Sequence, residues 1–115
     1  MEPMSNPPPI ACDPSAIDEE AHDEHRQVSN TLFEHITDLQ ELPDGYAFRL
    51  PTETEVVQAA GTFVSRERLC CPFFHFTLDV SPDDGPVWLE MTGRDGVKQY
   101  IEDAVLPYWN LEPQL

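Results

Sequence analysis

The chain of 115 residues carries 22 acidic side chains against 6 basic ones, a net charge of −16, and 40% of it is apolar, including 6 Phe, 3 Tyr and 2 Trp. That apolar content suffices for one modest core in one domain and argues against an acidic disordered chain. No basic patch can be assembled to displace counterions from nucleic acid or to meet an anionic membrane, and no apolar window of about 18 residues is present to form a membrane span.

The acidity has a second consequence. Lys98 is the only lysine, while five arginines are kept. This balance suits a halophilic cytoplasm, where concentrated salt screens self-repulsion and a carboxylate-rich surface stays hydrated. The start, Met1 to Ser15, has neither a basic region nor an apolar stretch of the signal-peptide type, so the sequence points to a cytoplasmic protein. Three cysteines form an odd set without the spacing of a secreted disulfide framework, so reduced thiols are expected.

Residues 1–14 hold Pro3, Pro7, Pro8, Pro9 and Pro14 and are expected to form an extended arm. A single α+β domain is expected over 15–107. Ser15 and Asp18 resemble a capping box, opening a helix to about Ile36 with Ala21, Val28, Leu32 and Ile36 on one stripe. Asp38–Leu42, the Pro43-Asp44-Gly45 turn and Tyr46–Leu50 read as a hairpin. Thr52 with Glu55 suggests a second capped helix, directing Val56, Val57, Ala60, Phe63 and Val64 inward. Pro72 stops it and pushes Cys71 out of the α region.

Phe74, Phe76, Leu78 and Val80 then alternate with His75, Thr77 and Asp79. After a turn at 81–86, Val87, Leu89 and Met91 alternate with Trp88, Glu90 and Thr92. Thr92 and Asp95 suggest a third capped helix with Val97, Ile101 and Val105 inward, ended by Pro107. The order α-β-β-α-β-β-α implies a four-stranded, mainly antiparallel sheet with helices on one face. Hairpin, cap and helix occur twice, an internal echo without shared sequence. The apolar tail over 108–115, with Tyr108 and Trp109, is expected to dock on the domain or to pair with a second subunit as a homodimer.

The chemistry-bearing segment is Arg66-Glu67-Arg68-Leu69-Cys70-Cys71-Pro72-Phe73-Phe74-His75. Two adjacent thiolates suit zinc or another thiophilic metal, with Cys12 adding a third sulfur and His75 a nitrogen. The pair also suits thiol redox chemistry, one cysteine attacking and its neighbour resolving, and a single cysteine could act alone as a nucleophile. Against these stand the helix C-terminal dipole, which disfavours a thiolate, and the strain of a disulfide between adjacent residues. Arg66 and Arg68 are positioned to offset the dipole in part. The structural alternative is that Cys70 and Cys71 fill a corner between helix and strand as small apolar residues.

Other candidates are weaker. His22 and His25, three positions apart on one helix, could form a metal face, but with His35 they read rather as part of a solvated helix face. Arg49, Arg66, Arg68 and Arg94 are expected to pair locally with the abundant acids. Thr92-Gly93-Arg94-Asp95-Gly96 is explained by capping rather than by phosphate binding. A Walker A loop, a G-x-G-x-x-G fingerprint, an H-E-x-x-H pair and a Ser-His-Asp order are missing, which lowers the standing of NTPase, dehydrogenase, zinc-protease and hydrolase readings.

Glu41-Leu42-Pro43-Asp44-Gly45-Tyr46-Ala47-Phe48-Arg49-Leu50-Pro51 resembles a family of small uncharacterised prokaryotic proteins. So do Glu67-Arg68-Leu69-Cys70-Cys71-Pro72-Phe73-Phe74, Gly85-Pro86-Val87-Trp88-Leu89 with Thr92-Gly93, and Ile10-Ala11-Cys12. The likeness runs from Cys12 to Leu106, and Cys-Cys-Pro-Phe is its most specific part. It implies that Cys12, Cys70 and Cys71 act as one unit and supplies no mechanism. The acidity and the tail after Pro107 look particular to this chain. The leading reading is therefore a thiol site at Cys12, Cys70 and Cys71, holding a thiophilic metal or metalloid or cycling between thiol states. The alternative is a non-catalytic binding or homodimerisation module with buried cysteines.

Overall fold

The computed structural model describes residues 10–111. Most of the expected arm, residues 1–9, and the last four residues of the expected tail lie outside that range. The helices are α1 (His22–Glu34), α2 (Thr54–Cys70) and α3 (Val97–Tyr100), the last continuing as a π-helical turn over Ile101–Val105. The strands are β1 (Asp38–Leu42), β2 (Gly45–Leu50), β3 (His75–Val80) and β4 (Val87–Thr92). The element order and fold class are those expected from the alternation and turn pattern.

The sheet is antiparallel throughout, with strand order β1-β2-β4-β3. Each hairpin contributes its second strand to the centre and leaves its first at an edge, so the twofold echo in the sequence becomes a symmetric sheet. Register aligns the apolar rows: Leu39, Phe48, Leu89 and Leu78 lie across from one another, and Tyr46, Met91 and Phe76 form the next row. The other face carries Arg49, Trp88 and Asp79 in one row. Period-two alternation thus decides which face meets the helices. Phe48, Leu89 and Met91 are buried with Leu32, Phe33, Ala60 and Phe63, and Phe33 meets both Phe48 and Phe63 edge-on. At Gly45 a Cβ would sit within 2.0 Å of the Met91 carbonyl oxygen, so β2 and β4 close only over glycine.

Helix starts differ from the expected capping boxes. Chain entry is a 3-10 turn over Pro14–Ala16 capped by Asp13, whose side chain accepts from the Ser15 N–H, and α1 begins only at His22 after a second such turn. Proline at the first helical position and three acids from 18 to 20 suit short turns as well as one long helix. In α2 the cap position is Glu53, without a side-chain cap bond. Gly96 precedes α3 at φ +99°, a conformation open to glycine, in place of the expected Thr92 cap. Val97 and Ile101 are buried as expected, and the backbone then widens so that the Leu106 N–H bonds the Ile101 carbonyl ahead of Pro107.

The described part of the tail docks on its own domain. Trp109 stacks on Phe33, ring centroids 5.2 Å apart and 13° from parallel. Among the described residues no helix is long and apolar enough to cross a membrane.

Candidate functional site

The site forms where α2 ends. Pro72 ends the helix by lacking an N–H, and it forces Cys71 out of the α region, to φ −123°, ψ 71°. The Cys71 N–H still donates to the Glu67 carbonyl at 2.7 Å, so the cysteine is held against the last turn. Both Cys70 and Cys71 are buried.

The end of the arm is tied to this corner. The Asp13 N–H donates to the Cys70 carbonyl at 2.7 Å, satisfying one of the acceptors that a helix end leaves free. His22 Nε2 lies 2.9 Å from the carbonyl oxygens of Pro14 and Ile17, fixing the turns that follow. Cys12 is thereby delivered to Cys71, and the two form a disulfide with Cα atoms 4.5 Å apart across 59 positions of sequence. Cys12 is exposed and Cys71 is not. The Tyr100 hydroxyl donates to Cys12 Sγ at 3.1 Å, being the partner of the two that carries a proton.

Cys70 is the free cysteine. Its Sγ lies 3.7 Å from Cys71 Sγ, and its thiol donates to Glu67 Oε1 at 3.0 Å. Burial and then the Glu67 carboxylate, as acceptor and as like charge, push the Cys70 thiol up from 9.0 to about 12. Burial, with Glu67 and Cys70 nearby, also raises the pKa of Tyr100.

Glu67 Oε1 has a second neighbour, His25 Nε2 on α1, at 3.1 Å. A carboxylate only accepts, so Nε2 is the protonated nitrogen of this contact. The imidazole stacks on Phe63 at 5.7 Å and is 12% exposed, while its Nδ1 is buried without a hydrogen-bond partner. His25, Glu67 and Cys70 present donor atoms all within 4.8 Å of one another. They lie on the wall of a cavity of about 490 Å³, which Cys12, Ile17 and Trp109 also line.

Several expectations change here. The three cysteines lie at one corner, with Cys12 and Cys71 bonded rather than all three reduced. Those two sulfurs are engaged with each other, not free to ligate alongside Cys70. His75 is exposed at the start of β3 and lines a different depression, with Leu42, Pro43 and Asp44, because the turn after Pro72 carries it off. Arg66 Nη1 lies 2.9 Å from Glu24 Oε1, and Arg68 Nε donates to the Ser65 carbonyl. The charged group set against Cys70 is instead Glu67, which works against a thiolate. His25 is not solvated. His35 is, and it bonds the Thr31 carbonyl within its own helix.

Sequence reasoning missed Glu67 and Tyr100, and set His25 aside as part of a solvated face. Glu67 had a signal, lying three residues before Cys70 and so on the same helix face. His25 and Tyr100 had none, since their contacts cross 42 and 88 positions. No family model, curated protein or solved structure matches the chain.

Proposed function

We propose that this is a thiol–disulfide exchange protein whose working unit is the Cys12–Cys71 bond with Cys70 beside it. The observation that carries the reading is the gathering of every sulfhydryl-bearing residue at one corner: an exposed cysteine bonded to a buried one, with a free thiol 3.7 Å from the buried sulfur. The resemblance over the Cys-Cys-Pro-Phe segment and Ile10-Ala11-Cys12 supports treating the three as one unit. A purely structural role would account for the burial of Cys70 and Cys71, but leaves the exposure of Cys12 beside a cavity unexplained.

In the exchange an external thiolate attacks the accessible Cys12 Sγ. The S–S electron pair passes to Cys71 Sγ, which takes a proton from solvent, and a mixed disulfide remains on Cys12. A second external thiolate attacks the outer sulfur of that mixed disulfide. It leaves as the partner's disulfide, and Cys12 becomes a thiolate to which the Tyr100 hydroxyl donates. Two external thiols are oxidised and one protein disulfide is reduced, and in reverse the same steps reduce a disulfide. The Cys70 thiol stays protonated beside Glu67 and out of the exchange. The acidic, salt-adapted cytoplasmic setting belongs to the same proposal, resting on the net charge of −16.

The test treats the native protein with a small dithiol and then with oxidised glutathione, and counts thiols before and after each step by acid quench, alkylation in denaturant and intact mass. The reading expects one free thiol, then three, then one, with an unchanged helical circular dichroism signal. A bond that opens only in denaturant refutes exchange and leaves a structural staple.

A further inference from the structure

We infer that His25, Glu67 and Cys70 form a binding site for a borderline-soft divalent metal of the zinc type, and that opening the Cys12–Cys71 bond completes it. This rests on the exchange reading for its second half only. The donor set is mixed nitrogen, oxygen and sulfur, the kind that zinc accepts in tetrahedral sites. Glu67 Oε1 lies 3.1 Å from His25 Nε2 and 3.0 Å from Cys70 Sγ, and all three donor atoms lie within 4.8 Å of one another, so a point exists about 2–2.5 Å from all of them, the length of zinc bonds to these atoms. Glu67 Oε1 already receives the Nε2–H and the Cys70 thiol, so a cation in the triangle would replace two hydrogen bonds that converge on one oxygen.

The surroundings fit. Imidazole orientation is fixed by its stack on Phe63, and the cavity gives an ion a route from solvent. Glu67 and Cys70 share one face of α2 while His25 comes from α1, so the site cross-links the two helices. His25 and Glu67 are mostly buried, 12% and 19% exposed, so the cluster is not an incidental surface grouping.

Three protein donors leave one tetrahedral position open. When a dithiol passes two electrons to the disulfide, Cys71 Sγ is freed 3.7 Å from Cys70 Sγ. Two thiolates on one zinc sit roughly 3.5–4 Å apart, so Cys71 is already spaced to be the fourth ligand. Each thiol that binds loses its proton to solvent and donates a sulfur pair to the metal, and the His25 proton shifts from Nε2 to Nδ1 so that Nε2 can ligate. By reciprocity, bound metal must favour the open form of the bond as strongly as opening favours the metal.

The test uses the full chain, oxidised and free of chelator, titrated with cobalt(II) as spectroscopic probe and zinc(II) as competitor. The inference expects one cobalt per chain with a sulfur-to-metal charge-transfer band. In the oxidised protein that band can come only from Cys70, and it disappears in Cys70→Ser. His25→Gln and Glu67→Gln each weaken binding tenfold or more, while His75→Gln leaves it unchanged. Reduction of the native protein, followed by removal of the reductant, tightens binding at least tenfold. The absence of a sulfur band, or His25→Gln binding like the parent, overturns the site, and equal affinity before and after reduction overturns its completion by Cys71. Non-reducing peptide mapping of the same samples separates the failures. An intact Cys12–Cys71 link without cobalt binding sinks this inference alone, whereas no such link sinks the exchange reading.

Discussion

Replacing Cys12 with serine isolates what the disulfide does for the fold. The bond closes a loop of 59 positions. A chain-entropy account of loop closure then assigns it about 4 kcal/mol, acting on the unfolded state. Native contacts change little, because Cys12 is exposed and a serine hydroxyl can still accept from Tyr100. With about 2.1 cal/mol/K of unfolding entropy per residue, a 115-residue chain has an unfolding entropy near 240 cal/mol/K. The loss of about 4 kcal/mol therefore lowers Tm by roughly 15–20 °C. The assay is thermal unfolding followed by circular dichroism, for the parent and the variant, each with and without a phosphine reductant. The parent should drop on reduction to the level of Cys12→Ser, and the variant should ignore the reductant. A parent whose Tm moves by less than about 3 °C on verified reduction would refute the reasoning, because the arm would then be held by its backbone bonds alone.

Four further outcomes follow from the same structure and its charge. Cys70 should react with iodoacetamide at least tenfold more slowly than an ordinary cysteine near neutral pH, since burial and Glu67 raise its thiol from 9.0 to about 12. In metal-free protein Glu67→Gln should speed that reaction, and an unchanged rate would remove Glu67 as a cause. The same shift sets an alkaline limit. Between pH 9 and 12 the folded protein keeps a proton that the unfolded chain has lost, so this contribution to stability is complete below pH 9 and declines through that window, as urea titrations at stepped pH would record. Trp109→Ala removes an aromatic stack on Phe33 and should cost about 1–3 kcal/mol in urea unfolding without altering the sedimentation coefficient, because the ring docks on its own chain. Raising potassium chloride from about 0.1 to 2 M should raise Tm by screening a net charge of −16, and a falling Tm would contradict the salt-adapted reading.

The parts of this molecule that could be read from sequence are those governed by short-range rules. Alternation along Tyr46–Leu50 and Val87–Thr92 located two strands and their buried faces, and Pro72 located the end of α2 and the unusual backbone of Cys71. Capping boxes failed at all three helices because Ser15, Thr52 and Thr92 each have neighbours able to begin a turn, and tertiary contacts chose among them. Asp13, for example, both caps the first turn and anchors it to Cys70. The site was half legible. Cys70 and Cys71 were marked by adjacency, and Cys12 by resemblance, but nothing local records that α1 packs on α2 with His25 facing Glu67. Assigning His25 to a solvated face followed from its acidic neighbours Asp23 and Glu24, which are exposed, whereas the helix turns His25 toward Phe63. His75 entered as a candidate ligand through its nearness in sequence, and the turn after Pro72 carries it away from the cysteines.

The central claim is that the three cysteines share one corner with a specific bond between two of them. Blocking the free thiols in denaturant, without reductant and at a pH that suppresses exchange, followed by proteolysis and mass spectrometry, tests it directly. A single cross-linked peptide pair joining Cys12 to Cys71, with the blocking label on Cys70 alone, is the predicted result. A label on all three cysteines, or a bond between Cys70 and either neighbour, would contradict the account.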